Sequence, residues 1–267
     1  MLPSALYWKL LTTTGMVRPK KHLGQHFLTD PNIARKIADS VLAESGNLIE
    51  IGPGTGVLSK FLLERNLNFI ACEIDTESVE FLNANYPALK VVSEDFLHLN
   101  PKRFFEDDFT VAGNFPYNIS GPILFRVYDL KDQIEECTGM FQKEFAERVT
   151  AQPRTKAYGI LSVLMQAFYH SEYLFTVSEH VFNPPPKVKS GVIRLKRKEN
   201  HKIQTPPKFF KTIVKAGFNQ RRKTLRNALK SFILTPDQAQ HPYFSKRAEE
   251  LTFDQFDELA SMLNPGK

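Results

Sequence analysis

From position 48 to 141 the chain repeats one pattern: a short apolar run, a polar or glycine-rich corner, a stretch with helical spacing, then another apolar run. The runs lie at 48–51, 69–72, 91–92, 109–112 and 137–141. Runs so short and so rich in Val, Ile and Phe suit strands buried on both faces. Leu58, Phe61 and Leu62 share one helical face over 57–65, and Val79, Phe81 and Leu82 belong to a helix after Asp75. Strand, helix, strand at this spacing predicts a parallel, doubly wound α/β sheet. Upstream, Asp30 and Pro31 supply the N-cap and first residue of another helix, with Ile33, Ile37 and Val41 at helical spacing. Cys72 and Cys137 fall inside predicted strands, where a free thiol acts as a small hydrophobe.

The remainder reads differently. Helical spacing runs from Lys143 to about Phe168, and 188–195 alternates like an antiparallel edge strand. A polar, basic linker follows at 196–207. Beyond it, Phe210, Ile213, Val214 and Phe218, then Leu225, Leu229 and Phe232, recur at helical spacing with no strand signal. The expected organisation is a disordered extension at 1–15, an α/β domain at 16–198 and a small all-α domain at 199–267. The extension carries one charge and lacks the basic, then apolar, order of a signal peptide, while Met16 opens a natural start. No uncharged apolar run approaches the roughly 18–20 residues of a membrane span. Two cysteines and no Cys/His cluster of zinc spacing give no disulfide framework and no metal site. A soluble chain in a reducing, cytoplasmic compartment is expected.

Charge is segregated. Residues 184–230 hold fifteen Lys and Arg against Glu199 alone, so 47 residues carry +14 while the rest carries −8. The net +6 hides an acidic body and a strongly basic segment, which points to a polyanion site for nucleic acid or an anionic membrane surface.

In a doubly wound sheet, ligands bind beyond the carboxyl ends of the strands. The first strand runs into Glu50-Ile51-Gly52-Pro53-Gly54-Thr55-Gly56, where Gly52 and Gly54 let backbone approach a ligand. The Gly-x-Gly-x-Gly spacing departs from the dinucleotide pattern and favours a ligand without a pyrophosphate. Glu73 ends the second strand, placed to accept from both hydroxyls of a ribose. Asp95 ends the third, placed to accept from an adenine amino group, with Phe96 available to cover the ring. Acids at successive strand ends suit a cationic adenosine ligand, and S-adenosylmethionine fits better than anionic NAD. The fourth strand ends in Asn114-Phe115-Pro116-Tyr117. This resembles the Asn/Asp-x-Pro-Tyr/Phe motif of methyltransferases acting on exocyclic amines of bases. The Asn114 amide oxygen and the Phe115 or Pro116 carbonyl can accept N6 hydrogens and raise electron density on nitrogen. Pro116 fixes the turn and Tyr117 can stack on a base drawn out of its helix.

From about Arg18 to Leu263 the sequence resembles the ribosomal RNA small subunit adenine dimethyltransferase family. Beside the motifs above, Leu23-Gly24-Gln25-His26-Phe27-Leu28 is similar to the family's loop that closes over the cofactor. The stretches 157–163 and 181–188 match two further blocks. Ala216-Gly217-Phe218-Asn219-Gln220-Arg221-Arg222-Lys223-Thr224-Leu225-Arg226-Asn227-Ala228-Leu229 matches its C-terminal signature. The resemblance implies a Rossmann-like methyltransferase domain in which His26, Leu28, Gly52, Gly54, Glu73, Asp95 and Asn114 contact S-adenosylmethionine. It implies that Asn114, Pro116 and Tyr117 hold the target adenine, with Phe182 stacking on its other face. Position 26 is His where many members have Asn, and position 115 is Phe where Leu is usual. The family converts two adjacent adenines near the 3′ end of 16S rRNA to N6,N6-dimethyladenosine, without metal. Lys187, Arg221, Arg222, Lys223 and Arg226 would meet phosphates of the immature small subunit, a monomer of the enzyme acting on it; residues 220–223 are expected on a helix lying along an RNA groove. The related large-subunit enzyme that confers macrolide resistance shares Asn-x-Pro-Tyr but not the 218–229 block.

Overall fold

The computed structural model describes residues 17–200, 202–233 and 235–264; the extension read at 1–15 lies outside them. In chain order the elements are β1 (Phe27–Leu28), α1 (Pro31–Ser40), β2 (Ser45–Ile51), α2 (Ser59–Leu62), β3 (Asn66–Cys72), α3 (Thr76–Asn85), β4 (Lys90–Val92) and β5 (Phe109–Asn114). There follow α4 (Ser120–Asp129), β6 (Ile134–Gln142), α5 (Lys143–Thr150), α6 (Ile160–Phe168), β7 (Tyr169–Val177), β8 (Phe182–Asn183) and β9 (Ser190–Arg197). The last helices are α7 (Pro207–Asn219), α8 (Leu225–Ala228) and α9 (Phe253–Leu263), joined by short 3₁₀ turns.

Seven strands form one sheet in the order β4-β3-β2-β5-β6-β9-β7. The β4–β3, β3–β2, β2–β5 and β5–β6 pairs are parallel, as the strand–helix alternation predicts. Strand order reverses between β2 and β5, the place where such sheets open a crevice. Two expectations need correction. β9 lies inside the sheet, between β6 and β7, rather than at an edge. Ser190, Gly191, Val192 and Ile193 are consecutively buried, which an edge strand with one wet face would not show. The edge on that side is β7, whose His170 and Glu172 broke up the apolar signal in the sequence. The helix expected over 57–65 contracts to α2, because 54–58 is a run of turns.

The described chain packs as two compact units, residues up to 143 with 174–194, and 144–173 with 195 onward. These units interleave, unlike the consecutive ranges 16–198 and 199–267, because β7 and β9 each pass from one unit into the other. In the second unit Phe210, Ile213, Val214, Phe256 and Leu259 are fully buried, and the Phe218 and Phe256 rings stack at 5.8 Å. Asp257 pins the approach to α7 by accepting the Gln204 and Thr205 N–H groups at 2.6 and 3.0 Å.

In the first unit α1 sets Ile37 and Ala38 against the sheet core. Its N-cap is Asp30, whose carboxylate accepts the Asn32 and Ile33 N–H groups. Glu136 and Glu50 are among the acids buried in this unit. Glu136 of β6 accepts the Leu42 N–H at 3.0 Å and the Thr138 hydroxyl at 2.7 Å. Glu50 of β2 is 1% exposed and accepts the Ser59 hydroxyl at 2.5 Å. That bond ties the end of β2 to the start of α2 and spans the glycine-rich corner between them.

Burial pushes the Glu50 carboxyl up to about 8, against the Ser59 hydrogen bond, which favours the charged form. A raised carboxyl contributes its full stability below its unfolded value of 4.5 and loses it as pH climbs toward 8. Glu50→Gln removes that titration. The gain in melting temperature of the variant over the parent is expected to grow from pH 5 to pH 8. A difference that stays constant with pH would show that Glu50 is already ionised throughout.

Candidate active site

The carboxyl ends of β2, β3, β4 and β5 open into a cleft of about 170 Å³. Its wall includes Gly52, Gly54, Glu73, Ile74, Asp95, Leu97 and residues 114–119, and the segment 23–27 lies across it. Gly52 and Gly54 take φ of +65° and +57°, the left-handed region that a side chain resists. At Gly54 space forbids a side chain as well: a Cβ there would stand 2.8 Å from two carbons of the Phe27 ring. The corner is therefore shaped for backbone, and its Gly54 N–H is aimed at Glu73.

Glu73 follows β3 directly and is 4% exposed. Its Oε2 accepts the Gly54 N–H at 3.1 Å, and its Oε1 accepts the Ile74 and Asp75 N–H groups at 2.8 and 2.9 Å. A carboxylate offers about four acceptor positions, so one remains, on Oε2. Both hydroxyls of a ribose, expected from sequence to bind here, would have to share it. Burial raises the Glu73 carboxyl above its ordinary range despite the three N–H donors that oppose the shift. A cation in the cleft would restore the charged form.

Asp95 lines the cleft but is also engaged at its own turn. Its Oδ1 accepts the Leu97 N–H at 2.9 Å, and its Oδ2 lies 2.9 Å from His98 Nδ1. Phe96, expected to cover an adenine ring, is buried away from the cleft at 3% exposure. Ile74, 49% exposed, and Leu97 present the apolar surface in its place.

Asn114 ends β5. Its Nδ2 donates to the His26 carbonyl at 3.0 Å. A carbonyl can only accept, so this bond fixes which end of the amide is NH₂ and leaves Oδ1 as the acceptor on the other side. The Pro116 carbonyl accepts the Ile119 N–H at 3.2 Å, while the Ser120 hydroxyl lies 3.1 Å from the Tyr117 carbonyl and 3.3 Å from that of Pro116. Of the two carbonyls considered from sequence, Phe115 is therefore the less engaged. The Phe115 ring is buried, 4.7 Å from that of Phe141, in space that Gly113 and Gly139 leave open. The residue that replaces the usual Leu thus works as an anchor beneath its own carbonyl.

Tyr117 has its ring in the cleft and its hydroxyl 2.6 Å from Ser190 Oγ. The His26 imidazole stacks on it, with ring centres 5.5 Å apart and planes at 27°. A base inserted between them would need about 7 Å, two contact distances of roughly 3.5 Å. His26 Nδ1 donates to the Pro184 carbonyl at 2.7 Å, so a neutral His26 ring has no second N–H for a ligand. The segment before it is held by Asp75, which pairs with Lys20 and accepts from Gln25 at 3.3 Å. Burial opposes ionisation of Asp75, and the hydrogen bonds from Lys20, Ser78 and Gln25 outweigh it and hold the carboxyl below its usual range.

Leu28 and Phe182 face each other across the β1–β8 pair, but both belong to the core, at 5% and 4% exposure. Neither lines the cleft, and the ring stacked on Tyr117 is His26. Of the basic residues, Lys187, Arg222, Lys223 and Arg226 are exposed. Arg221 is half-buried, bonded to Glu249 at 2.5 Å and to the Thr155 carbonyl at 3.3 Å. Residues 220–223 occupy the turn after α7 and not a helix. Sequence reading missed Ser190, Asn118 and Ile74. Only Ile74 left a signal, an apolar residue directly after a strand-ending acid. Among the described residues no group of His, Cys, Asp and Glu could hold a metal ion, and no helix is long and apolar enough to cross a membrane.

The arrangement matches known proteins. The chain is 54% identical over 244 residues to "Ribosomal RNA small subunit methyltransferase A" of Flavobacterium johnsoniae, covering 90% of this chain and 94% of that one. It is 54% identical over 249 residues to the protein of the same name from Parabacteroides distasonis, covering 91% and 93%. Among solved structures, a dimethyladenosine transferase from Plasmodium falciparum superposes with a TM-score of 0.74 at 27% identity, covering 88% of this chain and 96% of that one. The 23S rRNA methyltransferase ErmE gives 0.67 at 25% identity, covering 89% and 99%. The family profile described as "Ribosomal RNA adenine dimethylase" matches residues 16–264. By that match and by its relatives, the chain belongs to the ribosomal RNA adenine dimethylase family.

Proposed function

We propose that this chain transfers methyl groups from S-adenosylmethionine to N6 of two adjacent adenines in the 3′-terminal hairpin of 16S rRNA, giving N6,N6-dimethyladenosine. The observation that carries the reading is the Asn114 amide, held by the His26 carbonyl so that Oδ1 is the acceptor left to a ligand. The names of its curated relatives support the choice of the small-subunit rRNA.

The cleft fits the methyl donor. Gly52 and Gly54 keep the corner clear, the spare Oε2 position of Glu73 accepts a ribose hydroxyl, and Ile74 and Leu97 flank an adenine. Asp95 would accept from the adenine amino group. The buried carboxylate of Glu73 favours a cationic ligand over an anionic one. When bound, S-adenosylmethionine supplies an electrophilic methyl group on sulfur and leaves as S-adenosylhomocysteine.

The chain's own contribution is positioning. Tyr117 stacks on the target base after it leaves its helix. Asn114 Oδ1 and the Phe115 carbonyl accept the two N6 hydrogens, which turns the nitrogen lone pair out of conjugation and toward the methyl. Neither group is a base, so the proton lost from N6 passes to water. In the second transfer the monomethylated nitrogen has one N–H left, and only one of the two acceptors can hold it. Lys187, Arg222, Lys223 and Arg226 meet phosphates of the rRNA. We place the enzyme in the cytoplasm, acting as a monomer on the immature small subunit.

Two variants test this. Glu73→Gln loses the acceptor for at least one of its three N–H donors as well as the ribose contact. By calorimetry its S-adenosylmethionine Kd is expected to rise at least about tenfold. A Kd within about twofold of the parent would remove Glu73 from the binding site. Asn114→Ala, given unmethylated small subunits and labelled S-adenosylmethionine, is expected to form neither monomethyl- nor dimethyladenosine. Monomethyladenosine made at the normal rate would show that Asn114 does not hold the amine.

A further inference from the structure

We propose that Ser190 is a positioning residue for methyl transfer, acting through Tyr117. Ser190 opens β9 and is fully buried, and its Oγ lies 2.6 Å from the Tyr117 hydroxyl. Its backbone is fixed from the adjoining residue, because the Lys189 carbonyl accepts the Lys143 N–H at 2.9 Å. The serine oxygen is thus a fixed point, supplied by a strand inside the sheet.

Tyr117 needs such a point. It stands at the start of a three-residue 3₁₀ turn, 117–119, which by itself does little to restrain a long ring. Its face is in the cleft while its hydroxyl is in the interior, and burial raises the phenol above its ordinary value, the Ser190 bond partly offsetting this. Anchoring a ring at both ends, at Cβ by the turn and at the hydroxyl by Ser190, fixes its long axis, and the His26 ring stacked on one face sets its rotation about that axis and so its plane. A stacked base inherits that plane, and with it the direction of the N6 lone pair.

The same stretch of chain holds the second ring. The Pro184 carbonyl accepts from His26 Nδ1, and His26 stacks on one face of Tyr117. Residues 184 and 190 therefore set both members of the pair, and the ring spacing of 5.5 Å admits no base between them. The base takes the face of Tyr117 opposite His26 or displaces His26. In either arrangement Ser190 holds the long axis of the ring on which it rests.

This inference rests on the methyl-transfer reading of the cleft. Its test is a double-mutant cycle of Ser190→Ala, Tyr117→Phe and the pair together. The readouts are kcat for dimethyladenosine formation on unmethylated small subunits, S-adenosylmethionine Kd and melting temperature. Each single variant is expected to lower kcat about tenfold. The Kd should stay within about twofold, and the double variant should be no slower than either single one. Tyr117→Phe breaks the same bond from the cleft side, so the comparison survives if Ser190→Ala folds poorly. Losses that multiply in the double variant, or a Tyr117→Phe enzyme at parental kcat, would overturn the proposal and leave Ser190 a packing residue. A parent enzyme that forms no methylated adenine would overturn the reading of the cleft itself.

Discussion

The hydrogen bond from the Asn114 amide to the His26 carbonyl joins groups 88 positions apart and decides what the cleft can do. From β5 it takes a side chain that could point either polar end at a ligand and commits it to presenting oxygen. On the loop side it holds the segment 23–27 across the mouth of the cleft, so that a loop carbonyl becomes part of the site's interior. Lys20 and Gln25 on Asp75 hold the same segment further back, and His26 on Pro184 holds it further on. Without these ties the strand ends would still form a crevice, but the amide would be free to present NH₂ to an amine, which repels a donor.

The electrostatics of the cleft follow a similar logic of commitment. Glu73 is buried and already bears three backbone N–H groups, which offset part of the cost of keeping a carboxylate there before any ligand arrives. Its carboxyl still sits above the ordinary range, which makes the site more favourable to a cation than to a neutral or anionic nucleoside. Glu50, deeper and tied to Ser59, serves the corner rather than the ligand. On the proposed function the basic residues at 187 and 222–226 answer to RNA phosphates, so the net +6 of the chain would combine two separate demands.

The parallel strands were readable because their carboxyl-terminal halves are buried and each ends on or is followed by a residue whose chemistry differs abruptly from its own. Gly52, Glu73, Asp95 and Asn114 announced themselves by position for that reason, and all four line one cleft. Where local pattern and tertiary place diverge, the reading failed. β7 carries polar residues because it is an edge, and β9 looked half-exposed although the sheet encloses it. Phe96 was assigned a stacking role on residue type and Phe182 by the family resemblance, and both side chains are buried in the core. Ser190 was invisible, because a buried serine at a strand start has no local signature; only the fold brings it to Tyr117. The interleaving of the two units was hidden for the same reason, since it depends on where β7 and β9 lie and not on composition.

The central claim is that this cleft places a methyl group on the N6 atom of adenines in small-subunit rRNA. The most direct measurement incubates the unaltered chain with unmethylated small subunits and labelled S-adenosylmethionine, then maps the label by nucleoside analysis and sequencing of the 16S rRNA. The account predicts N6,N6-dimethyladenosine at two adjacent positions of the 3′-terminal hairpin. Label that stays out of the RNA, or that enters a base other than adenine, would contradict it.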